Sequence, residues 1–182
     1  MTWPNLVTYL RLLLIPAVVW CYNADIEYAN VWAAALFSVA SLSDLLDGYL
    51  ARRLNQTSEF GAFLDPVADK LLVAIALIML VAAYPGLLLA TGVIIGREIL
   101  ISALREWMAS KGQRDAVAVA FSGKLKTTVQ MIAIITLILA DPFFPPMLYN
   151  GGFLLLNIAA ILSIWSMLQY FRNASHVLFP KA

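Results

Sequence analysis

The chain has 182 residues, a formal net charge of +1, and 62% hydrophobic side chains. Its mean hydropathy of +0.83 excludes an ordinary soluble globular domain, which needs far more polar surface, and points to an integral membrane protein. The single cysteine, Cys21, excludes an intrachain disulfide.

Six apolar stretches are long enough to cross a bilayer, which takes about 20 residues each. They cover residues 5–23, 29–50, 61–83, 86–108, 117–140 and 147–171. The first is preceded by no basic segment and is interrupted by Arg11, so it reads as a retained span and not a cleaved signal peptide. It carries Asn5, Thr8 and Arg11, either as an interfacial polar cap or as contacts reaching a cavity. The second span ends in Asp44, Asp47 and Gly48, and Ala51, Arg52 and Arg53 follow it. The third opens on Gly61, Asp65 and Asp69, with Lys70 next. The fourth holds Arg97, Glu98 and Arg105 on an apolar background, and the fifth begins with Lys124 and Lys126. The sixth runs into a polar tail whose lone His176, without a neighbouring Cys or His, is read as incidental. Trp107, Trp165 and Tyr170 near span ends read as interfacial anchors. Short polar or proline-bearing segments join the spans, and no repeat or long linker intervenes. The expected architecture is one all-α, six-helix membrane domain over residues 1–182.

Charge placement orients it. Six spans put both termini on one side. Arg52, Arg53, Lys111, Arg114, Arg172 and Lys181 fall on that side, whereas the opposite loops carry Asp25, Glu27 and Asp141 without Lys or Arg. The positive-inside rule makes the basic side cytoplasmic. The four aspartates sit near the same side.

Carboxylates at the edge of a membrane need water, a partner or a metal. On helices, Asp44, Asp47, Gly48 and Ala51 share one face, and Gly61, Asp65 and Asp69 share a face of the next helix. The short connection makes these helices antiparallel neighbours, so four carboxylates converge. Unneutralised, they repel one another, and divalent cations resolve the conflict. Hard oxygen donors suit Mg²⁺ or Mn²⁺, and four carboxylates suffice for a pair of ions. Such a pair suits phosphoryl chemistry. The small residues Gly48, Ala51 and Gly61 fit tight helix packing or close approach of a nucleotide. Beside the aspartates the nucleotide is the favoured reading, with Arg52 as a phosphate ligand. Arg53 is explained by the positive-inside bias alone, and Glu59 by surface exposure.

The pattern Asp44-x-x-Asp47-Gly48-x-x-Ala51-Arg52, eight residues, then Gly61-x-x-x-Asp65-x-x-x-Asp69 resembles the signature of the CDP-alcohol phosphotransferase family, with every defining position filled. Further segments extend the likeness toward the branch that joins CDP-diacylglycerol to glycerol 3-phosphate. They are Pro4-Asn5-Leu6-Val7-Thr8, the stretch from Phe60 to Lys70, Arg97-Glu98, the stretch from Ser102 to Trp107, and Gly123-Lys124-x-Lys126-Thr127. The resemblance implies a six-helix membrane fold, a homodimer, and a cavity open to the cytosol. It also implies two divalent ions held by Asp44, Asp47, Asp65 and Asp69, with Asp69 as general base. The localisation implied is a bacterial inner membrane, and no nucleic-acid partner is expected.

Arg97 and Arg105 give a separate reason to favour a phosphorylated acceptor. They lie eight residues apart on nearly one helix face, within a span. Either they pair with Glu98 and Glu106, or they join Lys124 and Lys126 around an anionic substrate. A neutral or zwitterionic alcohol such as serine would not require so much positive charge. Glycerol 3-phosphate fits; inositol phosphate, or phosphatidylglycerol as in cardiolipin synthesis, are the alternatives within the family. A cation transporter is the alternative from another class, but its site is more often at the midplane.

Overall fold

The computed structural model describes residues 3–54, 59–113, 121–140 and 146–178, with side chains described throughout except at 3–7, 44–54, 59–62, 121, 122, 124, 176 and 178. All regular structure among the described residues is helical. The elements are α1 (Trp3–Asn23), α2 (Ala29–Leu54), α3 (Glu59–Ala83), α4 (Leu88–Ser110), α5 (Phe121–Leu139) and α6 (Pro146–Leu178), with a 3-10 turn at Pro85–Leu87 leading into α4. Three segments are long and apolar enough to cross a membrane: Phe63–Ala83, Pro85–Ser110 and Pro146–Ser175. Shorter apolar segments cover Ala29–Ser43 and Leu125–Leu139. A helix satisfies its own backbone hydrogen bonds, which is what hydrocarbon demands of a spanning segment.

Two helices outrun the apolar stretches that announce them. α2 continues to Leu54, because Ala51, Arg52 and Leu54 are good helix formers and neither Gly nor Pro interrupts them. α6 continues from the expected end at 171 to Leu178. Its 33 residues extend about 50 Å, well beyond a hydrocarbon core of about 30 Å. The added turns are held by packing. Tyr170 and Ala174 form a second small core with Ile101, Leu104 and Met108 of α4. Tyr170 is therefore buried and not an interfacial anchor, whereas Trp165 is 61% exposed.

The main core joins Phe37 and Ala40 of α2, Leu77 and Leu80 of α3, Ile134 and Leu137 of α5, and Leu156 of α6, among others. Outside it, Leu13, Trp20, Trp32, Ile78, Leu89 and Ile161 point away from the protein. So large an apolar exterior suits lipid and not water. Long-range contacts mark one end of the bundle. Ala140, just past α5, has its carbonyl approached by Asn30 Nδ2 of α2 at 3.4 Å and by Tyr84 Oη after α3 at 2.7 Å. The Tyr84 ring packs on Tyr149 at the start of α6. Ser41, farther along α2, donates toward Met131 Sδ of α5 at 3.7 Å, so α2 and α5 run antiparallel.

Gly112 ends α4. Its φ of +72° lets Gln113 N–H reach back to the Met108 carbonyl at 2.9 Å, the closing bond of a Schellman cap. Gly152 serves closeness instead. A Cβ added there would lie 2.7 Å from Leu137 Cγ and 3.3 Å from Leu137 N, forcing α5 and α6 apart. A Cβ on Gly151 would meet nothing within 4 Å. Gly152→Ala is therefore expected to cost about 1–3 kcal/mol and lower Tm in detergent. Gly151→Ala should hold or raise Tm, since it removes only a flexible helix residue. Thermal unfolding of the two variants side by side checks this, and equal Tm values would refute the close-approach argument.

Candidate active site

The site forms at the end of the bundle opposite Tyr84 and Ala140. In α1, Thr8 is 0% and Arg11 1% exposed. Thr8 Oγ1 donates to Asp65 Oδ1, and Arg11 Nη1 forms an ion pair with Asp69 Oδ1. Residues three apart on α1 thus meet residues four apart on α3, so the two helices run parallel here with matched turns. A buried guanidinium is tolerated only with a counter-charge and hydrogen bonds. Asp69 supplies the charge while keeping its side chain 39% exposed. Pro66 follows Asp65 inside α3, removing one backbone donor beside the acidic pair.

Asp65 and Asp69 form one wall of a cavity of about 350 Å³. Across from them stand Glu98 and Arg105 of α4 and Lys126 and Gln130 of α5, while Ser41 closes the α2 side. Lys126, 2% exposed, donates to Glu98 Oε1. Arg97 Nη1 reaches the same oxygen at 3.0 Å. One carboxylate therefore gathers two cations from two helices. Arg97 then turns toward α6: Nη2 donates to Ser166 Oγ, and the guanidinium lies 5.7 Å from the centre of the Tyr170 ring. Arg97 is not part of the cavity wall, whereas Arg105 and Lys126 are.

Several expected site residues lie where only the backbone is described. Asp44, Asp47, Gly48, Ala51 and Arg52 occupy the last turns of α2, which is helical throughout, so their shared face follows from helix geometry. Gly61 lies in the first turn of α3, Asn5 in the first turn of α1, and Lys124 in the first turn of α5. The side chains of all eight lie outside the described residues. Among the described residues no group of three metal-binding side chains converges, and that set omits two of the four aspartates. Asp65 and Asp69 offer carboxylate oxygens to the cavity, as does Glu98 from its other side, and no His or Cys is among the described residues that line it. That chemistry fits a hard divalent ion such as Mg²⁺ or Mn²⁺ and fits poorly a soft one.

Glu98 and Gln130 line the cavity although the sequence does not mark either as a substrate contact. In the sequence Glu98 reads as a partner for Arg97. A lone amide in an apolar span, four residues after Lys126 and so on its face, is the signal that points to Gln130.

Comparison with known proteins identifies the family of the chain. The family model for CDP-alcohol phosphatidyltransferase matches residues 1–168. Relatives named CDP-diacylglycerol–glycerol-3-phosphate 3-phosphatidyltransferase include one from Escherichia coli strain K12, 46% identical over 173 residues covering 94% of this chain and 93% of the relative. The Salmonella choleraesuis protein of that name is 45% identical over the same coverage. The one from Sodalis glossinidius is 44% identical over 97% of this chain and 96% of its own. With the matched helices carrying paired carboxylates opposite a basic wall, the chain belongs to the CDP-alcohol phosphatidyltransferase family.

Proposed function

We propose that this chain transfers the phosphatidyl group of CDP-diacylglycerol to glycerol 3-phosphate, forming phosphatidylglycerol phosphate and CMP. The observation that carries this reading is the cavity itself. Carboxylates held from α1 face cations held from α4 and α5, as a donor pyrophosphate and an anionic acceptor both require. Relatives at 44–46% identity bear the name of this reaction. The protein crosses a bacterial inner membrane six times as a homodimer, with both termini and the cavity mouth on the basic, cytoplasmic side.

In this reading Asp44, Asp47, Asp65 and Asp69 hold two Mg²⁺ or Mn²⁺ ions. Those ions, when bound, neutralise charge on the transferring phosphate. Thr8 and Arg11 fix the orientation of Asp65 and Asp69. Arg52 contacts the donor phosphates, and the face bearing Gly48, Ala51 and Gly61 leaves room for cytidine. The acyl chains stay in the bilayer. Arg105 and Lys126, with Lys124 at the start of α5, attract the acceptor phosphate, and Arg97 supports them through the shared Glu98. Asp69 accepts the proton of the acceptor's primary hydroxyl. That oxygen attacks the phosphorus bearing diacylglycerol, the bond from this phosphorus to the CMP oxygen breaks, and CMP departs with the electron pair. Positioning and charge neutralisation account for the rate, and no covalent enzyme intermediate is needed.

The test is CMP release by purified protein in detergent with CDP-diacylglycerol and Mg²⁺. Glycerol 3-phosphate, inositol phosphate, serine and phosphatidylglycerol are offered singly as acceptors. Turnover with glycerol 3-phosphate and not with the others is expected. Turnover only with another acceptor would keep the chemistry and replace the substrate. Ion flux in liposomes without CMP release from any acceptor would point to transport.

A further inference from the structure

Gln130 is 2% exposed, lines the cavity one helical turn beyond Lys126, and its Oε1 has no hydrogen-bond partner among the described residues. Buried amides are nearly always paired, and one left open on a cavity wall costs stability without a structural return. Nearby charged groups pair with one another. Lys126 and Arg97 pair with Glu98, and Asp69 pairs with Arg11. Among the described residues that line the cavity, Gln130 Oε1 is the buried side-chain polar atom left without a protein partner.

We propose that Gln130 is a specificity-determining residue that hydrogen-bonds the secondary hydroxyl of the acceptor. The inference rests on the proposed acceptor, glycerol 3-phosphate, and deepens it. Lys126 and Arg105 hold the phosphate end, and Asp69 across the cavity takes the proton at the reacting end. A three-carbon acceptor bridging them carries one further polar group, the hydroxyl on its middle carbon. Gln130 shares a helix face with Lys126 and lines the same cavity as Arg105 and Asp69, within the space such an acceptor would fill. A hydroxyl both donates and accepts, and a terminal amide turns about its last torsion to offer either oxygen or nitrogen, so the two match in either orientation. Selectivity follows from the same cost. An acceptor without that hydroxyl leaves the amide unpaired in a desolvated pocket, and such sites reject the deficient analogue far more strongly than an apolar pocket rejects an added group.

The test compares kcat/KM for glycerol 3-phosphate and for 3-hydroxypropyl phosphate, which lacks only the middle hydroxyl. The full chain in detergent is used as wild type, Gln130→Met and Gln130→Leu. The ratio of the two values is taken within each preparation, so the fraction of folded protein cancels. Wild type should prefer glycerol 3-phosphate by about 100-fold or more, and both variants should shrink that preference to within about threefold. A wild type that uses both acceptors equally, or variants that keep the full preference, would overturn the role of Gln130 while leaving the proposed reaction intact. Release of CMP with neither compound, but with another acceptor, would overturn the proposed reaction and this inference together.

Discussion

Asp69→Asn removes CMP release by about a thousandfold or more in kcat while the protein stays folded. Three roles of this carboxylate meet in one side chain. It faces the cavity, it closes the ion pair with buried Arg11, and in the proposed mechanism it accepts the proton of the attacking hydroxyl. An amide keeps the shape but neither the charge nor the basicity, so both the general-base contribution of about 10²–10⁴-fold and part of the metal site are lost together. Asn still offers Arg11 an oxygen, which limits the structural damage. Asp65→Asn should fall as far, because Thr8 holds its carboxylate in place on the same face of α3. Thr8→Ala, which leaves both carboxylates present and removes only an orienting hydroxyl, should lose about tenfold. Initial rates of CMP release, with Tm measured on each preparation, decide the matter. Either Asp→Asn variant turning over within about tenfold of wild type would end the proposal that these carboxylates do chemistry.

The sequence and the structure agree where the physics is local. Helices are visible because a spanning segment asks for about 20 apolar residues in a row, and five of the six expected starts lie within two residues of the helices or of the 3-10 turn that leads into α4, although among the described residues three segments are long and apolar enough to cross a membrane. Asp65 and Asp69 are visible because i and i+4 share a face wherever a helix forms. What was not visible depends on pairings across the chain. The last turns of α6 carry Arg172, Asn173 and Ser175, which end the apolar signal, and only packing of Tyr170 and Ala174 against α4 keeps them helical. Thr8 and Arg11 admitted two readings, since nothing local says that α1 lies parallel to α3; their partners are 57 and 58 residues away. Arg97 and Arg105 looked alike as two cations on one helix face. Their difference comes from α6, where Ser166 and Tyr170 claim Arg97 and leave Arg105 to the cavity.

Glu98 and Lys126 should behave as one unit. Lys126→Met is expected to raise KM for glycerol 3-phosphate by about 10- to 100-fold, with KM for CDP-diacylglycerol unchanged within about twofold, because it deletes a cation from the acceptor wall alone. For Glu98→Gln two arguments oppose each other in sign. Removing a negative charge from the cavity attracts an anion more strongly, which lowers KM. Removing the counter-charge also strands a Lys126 side chain that is only 3% exposed, and a lone ammonium at this depth turns away toward water. Breaking one side of a buried pair costs about 3–5 kcal/mol, more than long-range repulsion through a partly wet cavity can return, so the second argument wins and KM rises. Stability follows the same logic. Lys126→Met leaves Glu98 still paired with Arg97 at 3.0 Å, so it should lower Tm less than Glu98→Gln does. The double variant removes both members, and its KM should match Lys126→Met within about threefold where independent effects would multiply. Kinetics and Tm for the three variants test this directly. A Glu98→Gln enzyme with lowered KM would mean that the carboxylate merely repels the acceptor, and multiplicative effects would mean that Glu98 does not act through Lys126.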